Sequence, residues 1–326
     1  MKKIPISLVI DDFTPVMSIS YYGDSRFLSD GREKIPAFPY SALCEFCDLI
    51  EKENIRGKIS IVPMPVGRGD ILNGLTDIDM MDVKLWLDTV RDRVADRFTI
   101  CPEMLTHGKA ADLAHGGVLN IREDEWSQLQ NYETLTPYIT RAVEIVRDAG
   151  FRVRGVTSPW DFGSKVEDAY ARAVSDAVFS ATGSDKAWYF LHCIRDKVDT
   201  RPWIALEEGN RCVVTIPVTT RDHIWYTLES ADTSDEFISS VADGYITADG
   251  KSGEIPTVIA NGGYPIFLTH WQSLMSNGSC IGIKVLELVL QRVHEHFSDT
   301  VEWMDLEQIM DMVIADKASF PAPSNK

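Results

Sequence analysis

The chain has 326 residues, of which 44% are hydrophobic, 25% charged and 10% aromatic. This is an ordinary globular composition, which excludes a fibrous or intrinsically disordered chain. With 32 basic and 49 acidic residues, the net charge is −17. An electrostatic field of that sign repels phosphate backbones and anionic lipid headgroups, so neither nucleic acid nor a membrane surface is an expected partner.

The start of the chain and the use of cysteine favour a cytoplasmic protein. The segment Met1–Pro5 leads soon to Asp11 and Asp12, so the apolar run between them is too short for a secretory signal. No window approaches the roughly 18 consecutive apolar residues of a transmembrane helix. The six cysteines are spread thinly along the chain, unlike the dense disulfide framework of a small secreted domain. We therefore expect a reducing, cytoplasmic location.

Buried strand-like runs alternate with amphipathic helical stretches, which predicts an α/β fold built on a parallel sheet or barrel. Most of these runs are apolar on successive residues, as expected for strands that are covered on both faces. They are Ile4–Ile10, Lys58–Val62, Phe98–Leu105, Arg152–Thr157, Trp188–Ile194, Cys212–Val218, Pro265–Thr269 and Thr300–Met304. No internal repeat or linker divides the chain, so we expect one domain over residues 1–316 and a flexible tail over residues 317–326.

Helix signals fall between these strands. Thr136 followed by Pro137 suits an N-cap and a first-turn position, which predicts a helix that ends near Asp148. The stretch Ile281–Phe297 carries apolar residues at helical spacing. The polar segment Thr233–Gly263 predicts an excursion that either covers one face of the fold or contacts a neighbouring subunit.

The first strand ends in two adjacent aspartates, Asp11 and Asp12. In α/β folds function gathers at the carboxyl ends of parallel strands, so this position is a candidate site. It is costly to bring two carboxylates close together at the carboxyl ends of the strands unless a cation or a proton compensates their charge. The pair therefore indicates a metal site. The structural alternative is that Asp12 or Thr14 only caps a turn, since aspartate is common after strands.

Two histidines also follow predicted strands. His107, which precedes Gly108, comes after the third strand, and His270 comes after the strand Pro265–Thr269. A histidine at a strand end is placed to bind a metal, and His270 is equally placed to give a proton to a leaving group. Either histidine alone is a weak signal, and the prediction depends on their convergence with the aspartates.

A third set of side chains predicts a substrate cleft. Trp160 and Asp161 follow the strand that ends at Thr157, and Trp271 follows His270. An indole offers a flat face for a sugar ring, so we expect both tryptophans and the polar side chains beside them to contact substrate. The alternative for each tryptophan is packing at the mouth of the barrel.

In these motifs and in their order the chain resembles the polysaccharide deacetylase family, from Leu8 to about Leu274. The resemblance implies a distorted, seven-stranded (β/α) barrel. It implies that Asp11 is the catalytic base and that Asp12 binds a divalent metal, usually zinc. Glu103 lies four residues before His107, as a glutamate of the second family motif lies before a metal-binding histidine, and His270 matches the histidine of the last motif.

The sequence departs from the family in three places. A second metal-binding histidine is expected four residues after His107, where this chain has Ala111, so Asp112 or His270 has to complete the metal site. The arginine of the third motif is replaced by Thr157, which we place among the substrate-contacting residues together with Asp112. The fourth motif, which orients the base, has no counterpart.

The resemblance implies a metal-dependent hydrolase that cleaves an amide C–N bond, with deacetylation of a carbohydrate-like substrate as the leading hypothesis and oligomerisation left open. One rival is a glycosidase of a related barrel, in which Asp11, Asp161 or Asp112 attacks the anomeric carbon. The other is a non-catalytic carbohydrate-binding barrel, which binds its ligand without metal and without turnover.

Overall fold

The computed structural model describes residues 3–16, 27–66, 68–191 and 199–323, and over these residues the chain is an α/β structure. Its strands are β1 (Ile4–Asp11), β2 (Gly57–Ile61), β3 (Gly69–Asp70), β4 (Gly74–Leu75), β5 (Phe98–Pro102), β6 (Lys109–Ala111), β7 (Val118–Arg122), β8 (Gly155–Thr157), β9 (Lys186–Leu191), β10 (Trp203–Glu208), β11 (Arg211–Pro217), β12 (Ile266–His270) and β13 (Val301–Trp303). Its helices are α1 (Tyr40–Lys52), α2 (Met80–Arg93), α3 (Glu123–Ser127), α4 (Tyr132–Asp148), α5 (Glu167–Thr182), α6 (Tyr226–Glu229), α7 (Asp235–Tyr245), α8 (Glu254–Ala260), α9 (Trp271–Met275), α10 (Ile281–Phe297) and α11 (Leu306–Ala315).

Two sheets form the centre of the molecule. The first has the order β12-β1-β2-β5 and is parallel throughout, with β13 paired to the start of β1. The second has the order β10-β11-β9-β8 and is parallel except for the antiparallel pair β10-β11. All eight predicted strands are present, with ends shifted by a few residues, and the predicted residues of the fifth strand beyond Leu191 lie outside the described residues.

Hydrogen bonds also connect neighbouring edges of the two sheets. Beyond the end of β5, Glu103 forms an isolated parallel bridge with Thr157, and the backbone N–H of Met104 donates to the Thr157 carbonyl at 3.1 Å. Beyond the end of β11, the Thr219 hydroxyl accepts from the backbone N–H of Ile266 at 2.8 Å. In space, the parallel strands therefore follow one another in the order β1, β2, β5, β8, β9, β11 and β12.

The helices cover this centre through their apolar faces, and α10 has the predicted bounds. The prediction for the start of α4 was wrong. Asn131 is the N-cap: its side chain accepts from the backbone N–H of Thr134, and the Thr134 hydroxyl accepts from the Asn131 N–H. This reciprocal capping box begins the helix at Tyr132, which leaves Pro137 inside it.

Two predicted peripheral segments have defined structure where they are described. Residues 233–263 contain α7 and α8, and the buried Arg292 of α10 donates to the Asp243 carboxylate at 2.8 Å. In the predicted tail, Phe320 is 5% exposed and its ring lies 6.0 Å from that of Tyr264. The division of the chain into a domain and a tail stays a prediction. No described helix combines the length and the apolar character needed to cross a membrane.

Candidate metal centre and active site

The carboxyl ends of three strands carry an unusual backbone, and a fourth strand end lies beside them. Asp12 after β1, Met104 and His107 after β5, and Trp160 after β8 have φ angles of 59°, 35°, 49° and 47°. Positive φ is uncommon for residues other than glycine, and such strained positions cluster at functional sites. On the fourth strand, β12, His270 lies directly beside Asp11 in the parallel register. The four ends therefore bring the predicted polar residues to one region.

Asp12, Glu103 and His107 form a buried group whose ligand atoms all lie within 4.8 Å of one another. The Nε2 atom of His107 is 2.9 Å from the Asp12 Oδ1 atom and 3.3 Å from the Glu103 Oε1 atom. The three residues are 2%, 0% and 3% exposed, respectively. Among the described residues this is the one group of three acidic, histidine or cysteine side chains with such spacing. One imidazole nitrogen and two carboxylates are suitable donors for a divalent metal.

The hydrogen bonding of this group fits a bound cation. The Asp12 Oδ2 atom is buried and has no hydrogen-bond partner in the described part of the chain, and the Asp12 Oδ1 and Glu103 Oε1 atoms share the one Nε2 atom of His107. Burial raises the pKa of Glu103, and the nearby Asp11 and Asp12 carboxylates raise it further. Burial lowers the pKa of His107, but Asp12 and Glu103 outweigh this effect and leave it well above its usual value. Both shifts show excess negative charge that a bound cation would relieve.

Glu103 was predicted only as part of a motif, and the structure places it among the candidate ligands. The signal was the spacing of four between Glu103 and His107. Sequence reasoning looked for the missing ligand four residues after His107, at Ala111. The backbone between the two residues turns through the positive-φ positions Met104 and His107, which brings both side chains to Asp12.

Asp11 has a buried cationic partner that sequence reasoning missed. The Lys58 ammonium forms an ion pair with the Asp11 carboxylate, and both side chains are 0% exposed. The Ser60 hydroxyl lies 2.9 Å from the Asp11 Oδ1 atom and 2.7 Å from the Glu103 Oε2 atom. The signal was the alternation of β2, because Lys58 and Ser60 are two residues apart and lie on one face of the strand. Lys58 therefore compensates the buried charge of Asp11.

His270 is held by Asp222, which sequence reasoning also missed. The Nδ1 atom of His270 is 2.8 Å from the Asp222 Oδ2 atom, which also accepts from the Ser273 hydroxyl at 2.7 Å. Burial lowers the pKa of His270, but the hydrogen bond and the charge of Asp222 outweigh this and raise the pKa to about 9. His270 is therefore a protonated donor near neutral pH. The Trp225 ring lies 5.3 Å from the His270 ring. Asp222 follows β11 at a carboxyl end, which was the available signal.

The loop that carries His107 is held by Glu123. This buried carboxylate accepts from the backbone N–H groups of Leu105 at 3.1 Å, Thr106 at 2.9 Å and His107 at 2.9 Å, and from the Tyr138 hydroxyl at 2.6 Å. The β6–β7 hairpin makes this possible, because it follows His107 and brings the chain, with Glu123 at its end, back to the loop that carries His107. Glu123 therefore fixes the backbone of a candidate ligand without belonging to the metal group.

The two predicted cleft tryptophans have different positions. Trp160 is half-buried, and its ring lies 4.4 Å from the His107 ring. The Arg122 guanidinium lies 4.3 Å from the Trp160 ring. Trp271 is 0% exposed and packs against Phe13, with ring centroids 4.2 Å apart. The structure thus corrects the prediction for Trp271: α9 begins at this residue and turns the indole into the core.

Three predicted polar residues lie outside the metal group. Thr157 is buried at the junction of β5 and β8, where its hydroxyl is 3.5 Å from the Cys101 thiol, so it has no surface to offer a substrate. Asp112 accepts from the backbone N–H groups of Ala114 and His115, both at 3.1 Å, and these bonds lower its pKa. Asp161 is exposed. His270 is likewise not a member of the three-residue group.

Comparisons with known proteins agree with this architecture. No protein-family model and no curated protein matches the chain. Among solved structures, a protein described as a polysaccharide deacetylase from Mycobacterium smegmatis has a TM-score of 0.58 at 13% identity, with 100% of this chain and 95% of that chain covered. Its counterpart from Pseudomonas aeruginosa PAO1 has a TM-score of 0.54 at 14% identity, with 96% and 91% covered. PuuE allantoinase has a TM-score of 0.52 at 15% identity, with 96% and 90% covered. The chain therefore has the polysaccharide deacetylase-like fold that its motifs predict.

Proposed function

We propose that this protein is a metal-dependent hydrolase that cleaves an amide C–N bond and removes an acetyl group from a carbohydrate-like substrate. The observation that carries the proposal is the buried group of Asp12, Glu103 and His107, with Asp11 and His270 on adjacent strands beside it. The fold neighbours that are described as polysaccharide deacetylases support this reaction class and a carbohydrate-like substrate.

We also propose that β1, β2, β5, β8, β9, β11 and β12 enclose a distorted, seven-stranded barrel. The bridge between Glu103 and Thr157 and the bond from Ile266 to Thr219 support this, because they connect the sheets at both junctions. In a barrel the carboxyl ends of the strands share one face. The polar residues that follow β1, β5 and β12 would then surround one substrate position.

Asp12, Glu103 and His107 would hold the metal, and a divalent metal there would supply an activated water and polarise the substrate carbonyl. Asp11, fixed by Lys58 and Ser60, accepts the proton of the attacking water. His270 is protonated near neutral pH and gives its proton to the departing amine, while Asp222 holds its Nδ1 side. Trp160 covers one side of His107 and limits the access of water there.

The rival functions receive less support. Two of the candidate glycosidase nucleophiles, Asp112 and Asp161, lie outside the buried acidic group. A non-catalytic barrel has no need for three buried carboxylates at the mouth, whose desolvation is costly. A hydrolase has a use for each of them.

The test is acetate release from N-acetylated chito-oligosaccharides by the full chain loaded with a divalent metal. The variant Asp11→Asn should lose at least about 100-fold in kcat/KM while it retains the metal. The matched control is Asp92→Asn, which changes an exposed carboxylate near the end of α2 and should leave kcat/KM nearly unchanged. Retention of metal with a hydrolysis rate that does not depend on Asp11 would refute the mechanism. New reducing ends in place of free acetate would favour the glycosidase.

A further inference from the structure

We infer that the metal centre is a site of two carboxylates and one imidazole, and that Glu103 shifts its preference away from zinc and towards manganese. The inference rests on the proposed function, because it concerns the metal of that same site. It revises the expectation of zinc, which came from the family resemblance and not from the donor atoms of this chain.

The first step of the argument is the geometry of the donors. The Asp12 and Glu103 carboxylates both approach the Nε2 atom of His107, at 2.9 and 3.3 Å. The Asp12 Oδ2 atom is buried and has no hydrogen-bond partner in the described residues, and the Asp12 Oδ1 and Glu103 Oε1 atoms share the one Nε2 atom of His107. Buried carboxylate oxygens with too few donors are costly, so a cation would stabilise this pair.

The second step is that Glu103 is fixed in place. Its other oxygen, Oε2, accepts from the backbone N–H of Asp12 at 2.6 Å and lies 2.7 Å from the Ser60 hydroxyl. One oxygen of the carboxylate is therefore tied to two neighbouring strands, and the other faces the metal group. The side chain is 0% exposed, so it has no solvent-facing position to which it can withdraw.

The third step is that, among the described residues, no second imidazole joins the group. His270 is engaged by Asp222 through its Nδ1 atom and lies outside the three-residue group. Asp112 is bound within its own turn by the N–H groups of Ala114 and His115. Among the described residues, the donor set is therefore two carboxylates and one histidine.

The fourth step is the chemistry of the donors. Carboxylate oxygen suits manganese and magnesium, whereas imidazole nitrogen suits zinc, and zinc binds more tightly than manganese to most sites of either kind. The inference is therefore tested by a ratio, the manganese dissociation constant divided by the zinc dissociation constant, and not by either constant alone. Replacing the carboxylate of Glu103 by an imidazole should raise that ratio.

The experiment compares the wild-type full chain with Glu103→His, each stripped with a chelator and titrated calorimetrically with manganese chloride or zinc chloride. The matched control is Asp112→Asn, which changes a candidate ligand that the structure places outside the group. The His variant should favour zinc by at least about tenfold more than the wild type, and the control should match the wild type. An unchanged ratio in the His variant, or an equal shift in the control, would overturn the inference.

Two further variants keep the test decisive. If circular dichroism shows that Glu103→His is unfolded, Glu103→Gln keeps the shape and removes the charge, and its manganese affinity should fall at least about tenfold. Unchanged manganese affinity in that variant would overturn the inference.

Asp12→Asn tests the site itself. If neither metal binds the wild type, or if binding survives in Asp12→Asn, the metal site fails together with the inference. If metal binds with the expected ratio but no substrate is hydrolysed, the inference stands and only the proposed reaction fails.

Discussion

The buried ion pair between Lys58 and Asp11 gives the sharpest prediction for stability. Both side chains are 0% exposed, and the Lys58 ammonium also lies 4.5 Å from the Phe190 ring centroid and 3.3 Å from the Ser60 hydroxyl. In the variant Lys58→Met, the methionine fills similar space but leaves the Asp11 carboxylate buried without its cation. Breaking a buried pair in this way costs about 3–5 kcal/mol, because an uncompensated charge remains in a medium of low dielectric constant.

The size of the effect can be converted to a melting temperature. A chain of 326 residues has an unfolding entropy of about 0.7 kcal/mol/K, so the loss corresponds to a decrease in Tm of about 4–7 °C. The free energy of unfolding should be measured by urea denaturation of the metal-free protein, followed by circular dichroism. The matched control is Lys251→Met, because Lys251 pairs with Asp249 at 3.5 Å but is 81% exposed. The control should change the free energy by less than about 0.5 kcal/mol.

A double variant separates the loss of charge compensation from the loss of packing. Asp11→Asn removes the orphaned charge, so Lys58→Met combined with Asp11→Asn should be more stable than Lys58→Met alone, by about 2 kcal/mol. The reasoning is refuted if Lys58→Met costs less than about 1 kcal/mol, or if the double variant is no more stable than the single one.

Two further predictions concern residues that hold the site. In Glu123→Gln, the amide NH₂ faces at least one of the backbone donors of residues 105–107. The free energy of unfolding, measured by urea denaturation, should therefore fall by about 1–3 kcal/mol, and the metal affinity, measured by titration, should fall about 10–100-fold. The variant Glu125→Gln changes an exposed neighbour and should show neither effect. Asp222→Asn removes the charge that raises the pKa of His270 to about 9. Because a general acid acts only below its pKa, the basic limb of the pH profile of kcat/KM should then move to lower pH by at least about one unit. An unchanged basic limb would contradict the role of His270 as the acid.

The sequence predicted the strands, and it singled out the polar residues that follow them, because those signals are local. β1 and β12 are continuous apolar runs, and the polar residues that follow them, Asp11, Asp12 and His270, fall at the carboxyl ends where the predicted fold gathers function. His107 was found in the same way. These predictions required only the type of each element and its direction.

The partners of those residues were not predictable by the same reasoning. Lys58 meets Asp11 across two strands, and Asp222 meets His270 over 48 positions in sequence. Such pairs depend on strand order and register, which a single sequence does not provide. The prediction for Trp271 was wrong for a related reason, since the direction of its side chain is set by the start of α9 and not by its position beside His270.

The charges of the candidate site are electrostatically connected. Glu103 places a second carboxylate beside Asp12 and His107, and Thr157 stands where the resemblance implies an arginine. Three buried carboxylates, Asp11, Asp12 and Glu103, then require three positive charges. Lys58 supplies one, and the proposed divalent cation would supply the other two, so the loaded site would be neutral. Burial and the neighbouring carboxylates raise the pKa of Glu103, and Asp12 and Glu103 raise that of His107. Protons and the proposed metal would therefore compete for this group, so the affinity for the metal should rise with pH.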